Sequence, residues 1–285
     1  MNAPTDPSQI ATVHSASQQA APAQPAQPPH IRRHTLERVA HAALQIGATL
    51  SQNGASLRVA HEGARMIANG FGVEVLGMRS GYTSFEITVA YGRDAITRMT
   101  QIGPHGVNHR LDFAVRELAL RASAGTMAPE EIETELERLK RDTPRHPPWL
   151  VAIATGAACA AFGRLLGADW LAFIPVLAAA SVGQGLRHIL IKRRVNVFVV
   201  AAIIGCVSAT LGGLGARLAG SHTMELAMMA SILLLVPGVP STNAQTDIMD
   251  GYPTMGSARA IWVVMIMVFA VTGLWIAEFL LKVQM

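Results

Sequence analysis

Residues 226–259 read LAMMASILLLVPGVPSTNAQTDIMDGYPTMGSAR, and this stretch decides the fold. An apolar run ends in Pro237-Gly238-Val239-Pro240, polar and acidic residues follow, and a second long apolar run begins. Both prolines lack a backbone donor and disfavour helix continuation, and Gly238 permits a turn. Freed backbone groups are costly in lipid, so such a break survives only inside protein or beside a water-filled cavity. Polar residues just past a helix break can form a solute site near the bilayer midplane. Asn243, Gln245, Asp247 and Asp250 stand in that position, and an ionisable group at membrane depth marks a solute or proton pathway by default. Asn243 and Asp247 share a face if this piece is helical. The plainer alternative is a loop with solvated carboxylates. Arg259 opens the next apolar run, where it either pairs with Asp247 or a solute carboxylate or snorkels to the interface.

Outward from this stretch, the chain of 285 residues divides by composition. Most charged residues lie before Pro147 and the long apolar runs lie after it. Five apolar segments follow, at about 149–166, 170–190, 195–218, 223–236 and 258–281. A helix needs roughly 20 apolar residues to cross the hydrocarbon core, so the fourth is short, as a broken or re-entrant span would be. Arg145 and His146 precede the first segment, and Arg187, Lys192, Arg193 and Arg194 lie between the second and third. The positive-inside rule puts these, and everything before residue 147, in the cytoplasm. The C-terminal side depends on whether the fourth segment crosses. Gly205, Ala209 and Gly213, and likewise Gly163 and Gly167, have the spacing of close helix contacts. The net charge of +4 resides in clusters flanking apolar spans and does not imply nucleic acid.

Residues 1–30 are rich in Ala, Pro, Gln and Ser and are expected to be a disordered tail. Residues 31–146 alternate between two periodicities. A stripe of Leu36, Val39, Ala43, Ile46 and Leu50 predicts a helix ended by Asn53-Gly54. Ser56 suits the N-cap of a second helix, ended by Asn69-Gly70. Strand alternation then appears at Val73 and Val75 and at Phe85, Ile87, Val89 and Tyr91, with Gly92-Arg93-Asp94 leading into 96–102. Two helices close the unit, the last opening at Pro129. The expected architecture is a small cytoplasmic α+β domain (31–146) followed by an α-helical integral membrane domain of about five segments (147–285).

Other chemistry is sparse. Gln184, with Ser181 and Gly183, lies inside the second span; an interhelical hydrogen bond is the first expectation and solute contact the second. His105 and His109 have helical i, i+4 spacing without a third ligand, so no metal is expected. His222 and Glu225 read as an interfacial pair, and Arg58, Glu62 and Arg65 as a salt-bridged surface. No phosphate-binding loop, hydrolase elbow or dinucleotide fingerprint is present, so no cofactor is expected.

Two stretches carry a resemblance. Asn53-Gly54-Ala55-Ser56-Leu57-Arg58-Val59 resembles the N-terminal signature of the threonine/serine exporter family, although Ala60 stands where members often have Glu. Val236-Pro237-Gly238-Val239-Pro240, followed by Asn243, Asp247, Gly251, Gly256 and Arg259, is similar to its membrane signature. The resemblance implies a bacterial inner-membrane secondary exporter of small hydrophilic metabolites, threonine and serine or, in a split branch, succinate. It further implies that this chain is the first subunit of the split form and works with a second small membrane subunit. The expected partners are the bilayer, a small polar metabolite, that subunit and further copies of the chain. The candidate solute contacts are Asn243, Asp247, Asp250, Arg259 and Gln184, with the helix break at Pro237, Gly238 and Pro240. The rival readings are a membrane-tethered hydrolase and a non-transporting scaffold.

Overall fold

The computed structural model describes residues 33–144 and 146–282, so the expected tail at 1–30 and Arg145 of the orientation argument lie outside the described residues. The α+β part runs α1 (Arg33–Gln52), α2 (Leu57–Gly70), β1 (Glu74–Ser80), β2 (Ser84–Tyr91), β3 (Asp94–Gln101), α3 (His109–Ser123) and α4 (Pro129–Asp142). The strands form an antiparallel meander, β1-β2-β3. Its register is set by the tight turn pairing Tyr91 with Asp94, where Gly92 takes a positive φ of 62°. Phe85, Ile87 and Val89 alternate inward from the central strand onto α1, whose Leu36, Val39, Ala43, Ile46 and Leu50 are all buried. Full burial of each of the larger of these, Leu36, Val39, Ile46 and Leu50, contributes about 1.5–3 kcal/mol, which makes α1 the hub of this layer. Pro129 sits at the first turn of α4, acidic residues follow it, and Lys140 and Arg141 close the helix.

The second part comprises α5 (Pro148–Leu165), α6 (Phe173–Lys192), α7 (Val197–Leu218), α8 (Met224–Ser231), a 3-10 turn at Leu233–Leu235, α9 (Gly238–Met249) and α10 (Pro253–Leu281). Four of these helices are long and apolar enough to cross a membrane; α8 with its 3-10 turn, and α9, form one further pair bent by 62°. Their outward faces carry Ile153, Phe162, Ile174, Val182, Val264, Val268, Trp275 and Phe279, an exposed apolar surface that suits lipid.

The contacts fix how the bent pair runs. Asp169, between α5 and α6, accepts from Ser221 Oγ and the His222 amide, so α8 starts at the end of the bundle remote from the α+β part. Asp247, near the end of α9, bonds to Leu57 of the α+β part. The pair therefore traverses the bundle as a broken span rather than turning back. α10 then returns, and Leu281 lies beside the Cα of Gly213 near the remote end of α7.

Several details differ from the sequence expectation. The fourth segment continues past residue 236 to Met249, because Pro237 caps α9 and Pro240 falls in its first turn, where no intrahelical donor is needed. Gly238 keeps a negative-φ conformation, so extended Val236 and non-helical Pro237 make the break without glycine's freedom. α10 begins at Pro253, because Gly251 at φ 86° ends α9 and proline suits an N1 position; Arg259 is thus in its second turn rather than at its start. α6 runs to Lys192, which draws Arg187 out of the expected loop. Ser56 occupies the N-cap position of α2 without a side-chain cap bond. Gly167, at φ 101°, ends α5 with no close neighbour, whereas Gly163 packs on Ala230 and Gly205 on the Ala270 carbonyl.

Candidate functional site

Residues past the break and the loop before α2 meet in one buried clamp. α9 places Asn243 and Asp247 one turn apart on the same face. The Asn243 side-chain amide donates to the Gly54 carbonyl at 2.8 Å. Asp247 is fully buried, and each of its oxygens is used: Oδ1 accepts from the Leu57 amide at 2.7 Å and Oδ2 from Arg259 Nη1 at 2.6 Å. Arg259, 5% exposed, spends its other terminal nitrogen on the Ala55 carbonyl at 3.2 Å. At the rim, Arg58 Nε donates to Asp250 Oδ2 at 2.9 Å.

The local chemistry explains each member. Leu57 is the first residue of α2, so its amide has no intrahelical acceptor. The cap that Ser56 does not provide comes from Asp247, 190 positions away. A carboxylate there also meets the positive end of the helix dipole. Gly54 holds φ 103°, a conformation that directs the loop carbonyls toward α9 and α10 at small backbone cost. A buried carboxylate and a buried guanidinium tolerate burial only because each is paired and hydrogen-bonded.

A second contact joins the same elements. His61 of α2 stacks edge-on against Phe85 at 5.4 Å and against Tyr252, just before α10, at 5.1 Å. Its Nε2 lies 2.9 Å from Ser80 Oγ. Burial, reinforced by the charge of Arg65, pushes the imidazole down to about 4, so it is neutral at ordinary pH. Tyr82, whose hydroxyl is pushed up by burial against the opposing pull of Arg259, lies on the same side.

The remaining candidates lie elsewhere. Gln184 is apart from the clamp, lining a cavity between α6 and the α+β part, and its Oε1 is buried without a hydrogen-bond partner. The expected interhelical bond is not made among the described residues; α6 and α7 approach each other instead through Gly183 and Ser208. Both ring nitrogens of His105 face backbone carbonyls, those of Tyr82 and Ser51. Arg187 is the group that reading the sequence as loop charge conceals. It lines a small cavity at the break with Val236, Pro237 and Trp262, and has no ion pair among the described residues.

An outward apolar surface, a broken span and buried ionisable groups beside it define a multi-pass membrane protein with a polar site at the end of that span. The chain belongs to the threonine/serine exporter family: the family model described as "Putative threonine/serine exporter" matches residues 41–281. Two curated relatives are each named "Probable succinate transporter subunit YjjP". The Klebsiella aerogenes protein is 27% identical over 217 residues, covering 76% of this chain and 83% of the relative. The Escherichia coli K12 protein is 25% identical over 217 residues, covering 76% and 84%. No solved structure matches the chain. The two stretches that carry the family resemblance are the two faces of the clamp.

Proposed function

We propose that this chain is one subunit of a secondary transporter in the bacterial inner membrane that exports small hydrophilic metabolites. These are amino acids of the threonine/serine type or a dicarboxylate such as succinate. The α+β part faces the cytoplasm, in keeping with Arg193 and Arg194 between α6 and α7 at the same end. A second, small membrane subunit completes the pathway; the word "subunit" in the relatives' names supports this.

The observation that carries the reading is the buried Asp247–Arg259 pair at the end of a span broken near its middle. Each partner holds what a solute can replace. A solute carboxylate takes the place of Asp247 on Arg259, and a solute ammonium takes the place of Arg259 on Asp247. Access requires loop 53–58 to withdraw, which releases the Leu57 amide and the Ala55 carbonyl together. Asp247, freed from both donors, is then able to exchange a coupling proton.

Cells carrying both subunit genes or neither, loaded with labelled serine, threonine and succinate, test this. Retention of at least one solute should rise when the genes are removed; equal retention of all of them would reject export. One observation favours a second reading. Asn243, Asp247 and Arg259 each already have a protein partner at the clamp, as a docking device in a non-transporting scaffold would. Flux by liposomes with both subunits, compared with the small subunit alone, separates the two.

A further inference from the structure

We infer that Arg187 is a second contact for the carboxylate of the transported solute, in the small cavity at the helix break. The inference rests on the transport reading and adds to it a residue and a station beyond the clamp. Arg187 stands in α6, five residues before its final residue, Lys192. A helix rises about 1.5 Å per residue, which puts Arg187 roughly 7 Å inside that end. Lys192, Arg193 and Arg194 are exposed, as loop charges are, and Arg187 is not. It lines a cavity of about 60 Å³ walled by α6, α7, the break and α10. A water needs only about 10–15 Å³ of such space, so the cavity has room for a carboxylate group and its hydration.

Three observations point to an incoming anion. First, the guanidinium has five donors and, among the described residues, neither an ion pair nor a hydrogen-bond partner. No acidic side chain lines the cavity, and apart from the Trp262 indole the rest of its wall is apolar. Arg259, by contrast, has both a carboxylate and a carbonyl. A cation left unpaired inside a membrane span is costly and marks a solute or ion pathway by default. Second, the cavity adjoins the clamp along α10. Arg259, Trp262 and Ile266 follow one another at i, i+3 and i+7, on one face of that helix. Trp262 and Ile266 line the cavity and lie roughly 5 and 10 Å further along the helix than Arg259. Third, Pro237 walls the cavity and caps α9, a helix of 12 residues whose Val239 amide has no acceptor among the described residues. The positive end of α9 therefore begins where Arg187 stands. The end of the 3-10 turn, on the other side of the break, offers the guanidinium only a partial negative charge.

These features define a relay. A carboxylate that leaves Arg259 and moves inward along α10 reaches Arg187 within about two helical turns. Arg187 has no resident countercharge to displace, whereas Arg259 has Asp247. Serine, threonine and succinate all carry a carboxylate, so the contact is the same whichever of them is moved.

The test is the concentration dependence of flux through liposomes containing both subunits, with whichever of labelled serine, threonine and succinate the wild type carries. Arg187→Gln should raise the half-saturating concentration by about tenfold or more, the scale of a lost charge-assisted hydrogen bond. Arg187→Lys, which keeps the charge and loses the fork, should fall between the two. Arg193→Gln, at an exposed position, should match the wild type. A chain carrying Cys159→Ala, Cys206→Ala and Arg187→Cys adds a readout that a purely structural role does not move. Saturating solute should slow its reaction with a cationic thiol reagent, and the attached cation should restore part of the flux. This variant decides the matter if Arg187→Gln fails to fold or carries no measurable flux. Unchanged half-saturation in Arg187→Gln overturns the contact, even where the maximal rate falls. So does labelling that the solute does not slow. Pairing of Arg187 with a carboxylate of the second subunit, seen as lost co-purification at unchanged half-saturation, overturns it as well. In each of these cases wild-type flux stands and the transport reading with it, whereas a wild type that carries none of the three solutes overturns both.

Discussion

Replacing Asp247 with alanine should expose the loop before α2. Among the described residues, the carboxylate is the only acceptor for the Leu57 amide and the only counterion of Arg259. Asp247 and Arg259 are buried, at 0% and 5% exposure, so solvent screening offers little relief. Removing one partner of a buried pair costs about 3–5 kcal/mol, because the other charge stays buried and unpaired. At about 1.4 kcal/mol per tenfold, local opening of residues 53–59 becomes at least a hundredfold more frequent, up to the limit of the wild-type protection. Hydrogen exchange on the full chain in detergent reads this directly from peptides covering that loop. Arg58→Ala is the internal comparison. It removes a rim contact whose arginine side chain is 57% exposed, and such pairs contribute less than about 1 kcal/mol. If exchange at 53–59 is the same in Asp247→Ala as in the wild type, the carboxylate does not hold the loop.

Two further outcomes test the same framework. His61 has its folded-state value depressed from 6.5 to about 4 by burial, so the unfolded chain binds more protons between those values. Its contribution is complete above about pH 6.5 and is lost as pH falls towards 4, by no more than about 3.4 kcal/mol. The thermal midpoint should drop over that window, and His61→Gln should flatten the drop. Gly273→Ala should lower the yield of folded protein, because its new Cβ would sit 2.7 Å from the Cys206 backbone nitrogen and press on the Ala202 carbonyl, neither of which can step aside. Gly238→Ala meets no atom within 4 Å and should be tolerated. Fluorescence-detected chromatography of the two variants distinguishes them.

Much of this architecture was legible in the sequence because it depends on periodicity. The stripe of Leu36 to Leu50 and the alternation of Phe85 to Val89 mark one buried face each, and proline and glycine punctuate their ends. The break was legible too, since Pro237 removes a donor wherever it stands. Its direction was not. Whether α8 and α9 cross or turn back is decided by Asp169 meeting Ser221 and by Asp247 meeting Leu57, contacts 52 and 190 positions apart. The same holds for the clamp. Spacing alone makes Asn243 and Asp247 candidates, and offers Arg259 a pairing with Asp247 as one of its possible places. Their pairing with Gly54, Ala55 and Leu57 uses backbone groups, which carry no sequence signal. Arg187 was hidden for another reason: a basic residue near a helix end reads as loop charge until the helix is seen to continue to Lys192.

The most direct measurement is flux of labelled succinate, serine and threonine through liposomes containing both subunits, with wild-type chain or Asp247→Asn. The substitution keeps an oxygen able to accept from Leu57 but removes the charge that balances Arg259. Flux should vanish while insertion and subunit assembly are retained. Wild-type rates from the Asp247→Asn chain would contradict a role for this carboxylate in moving the solute.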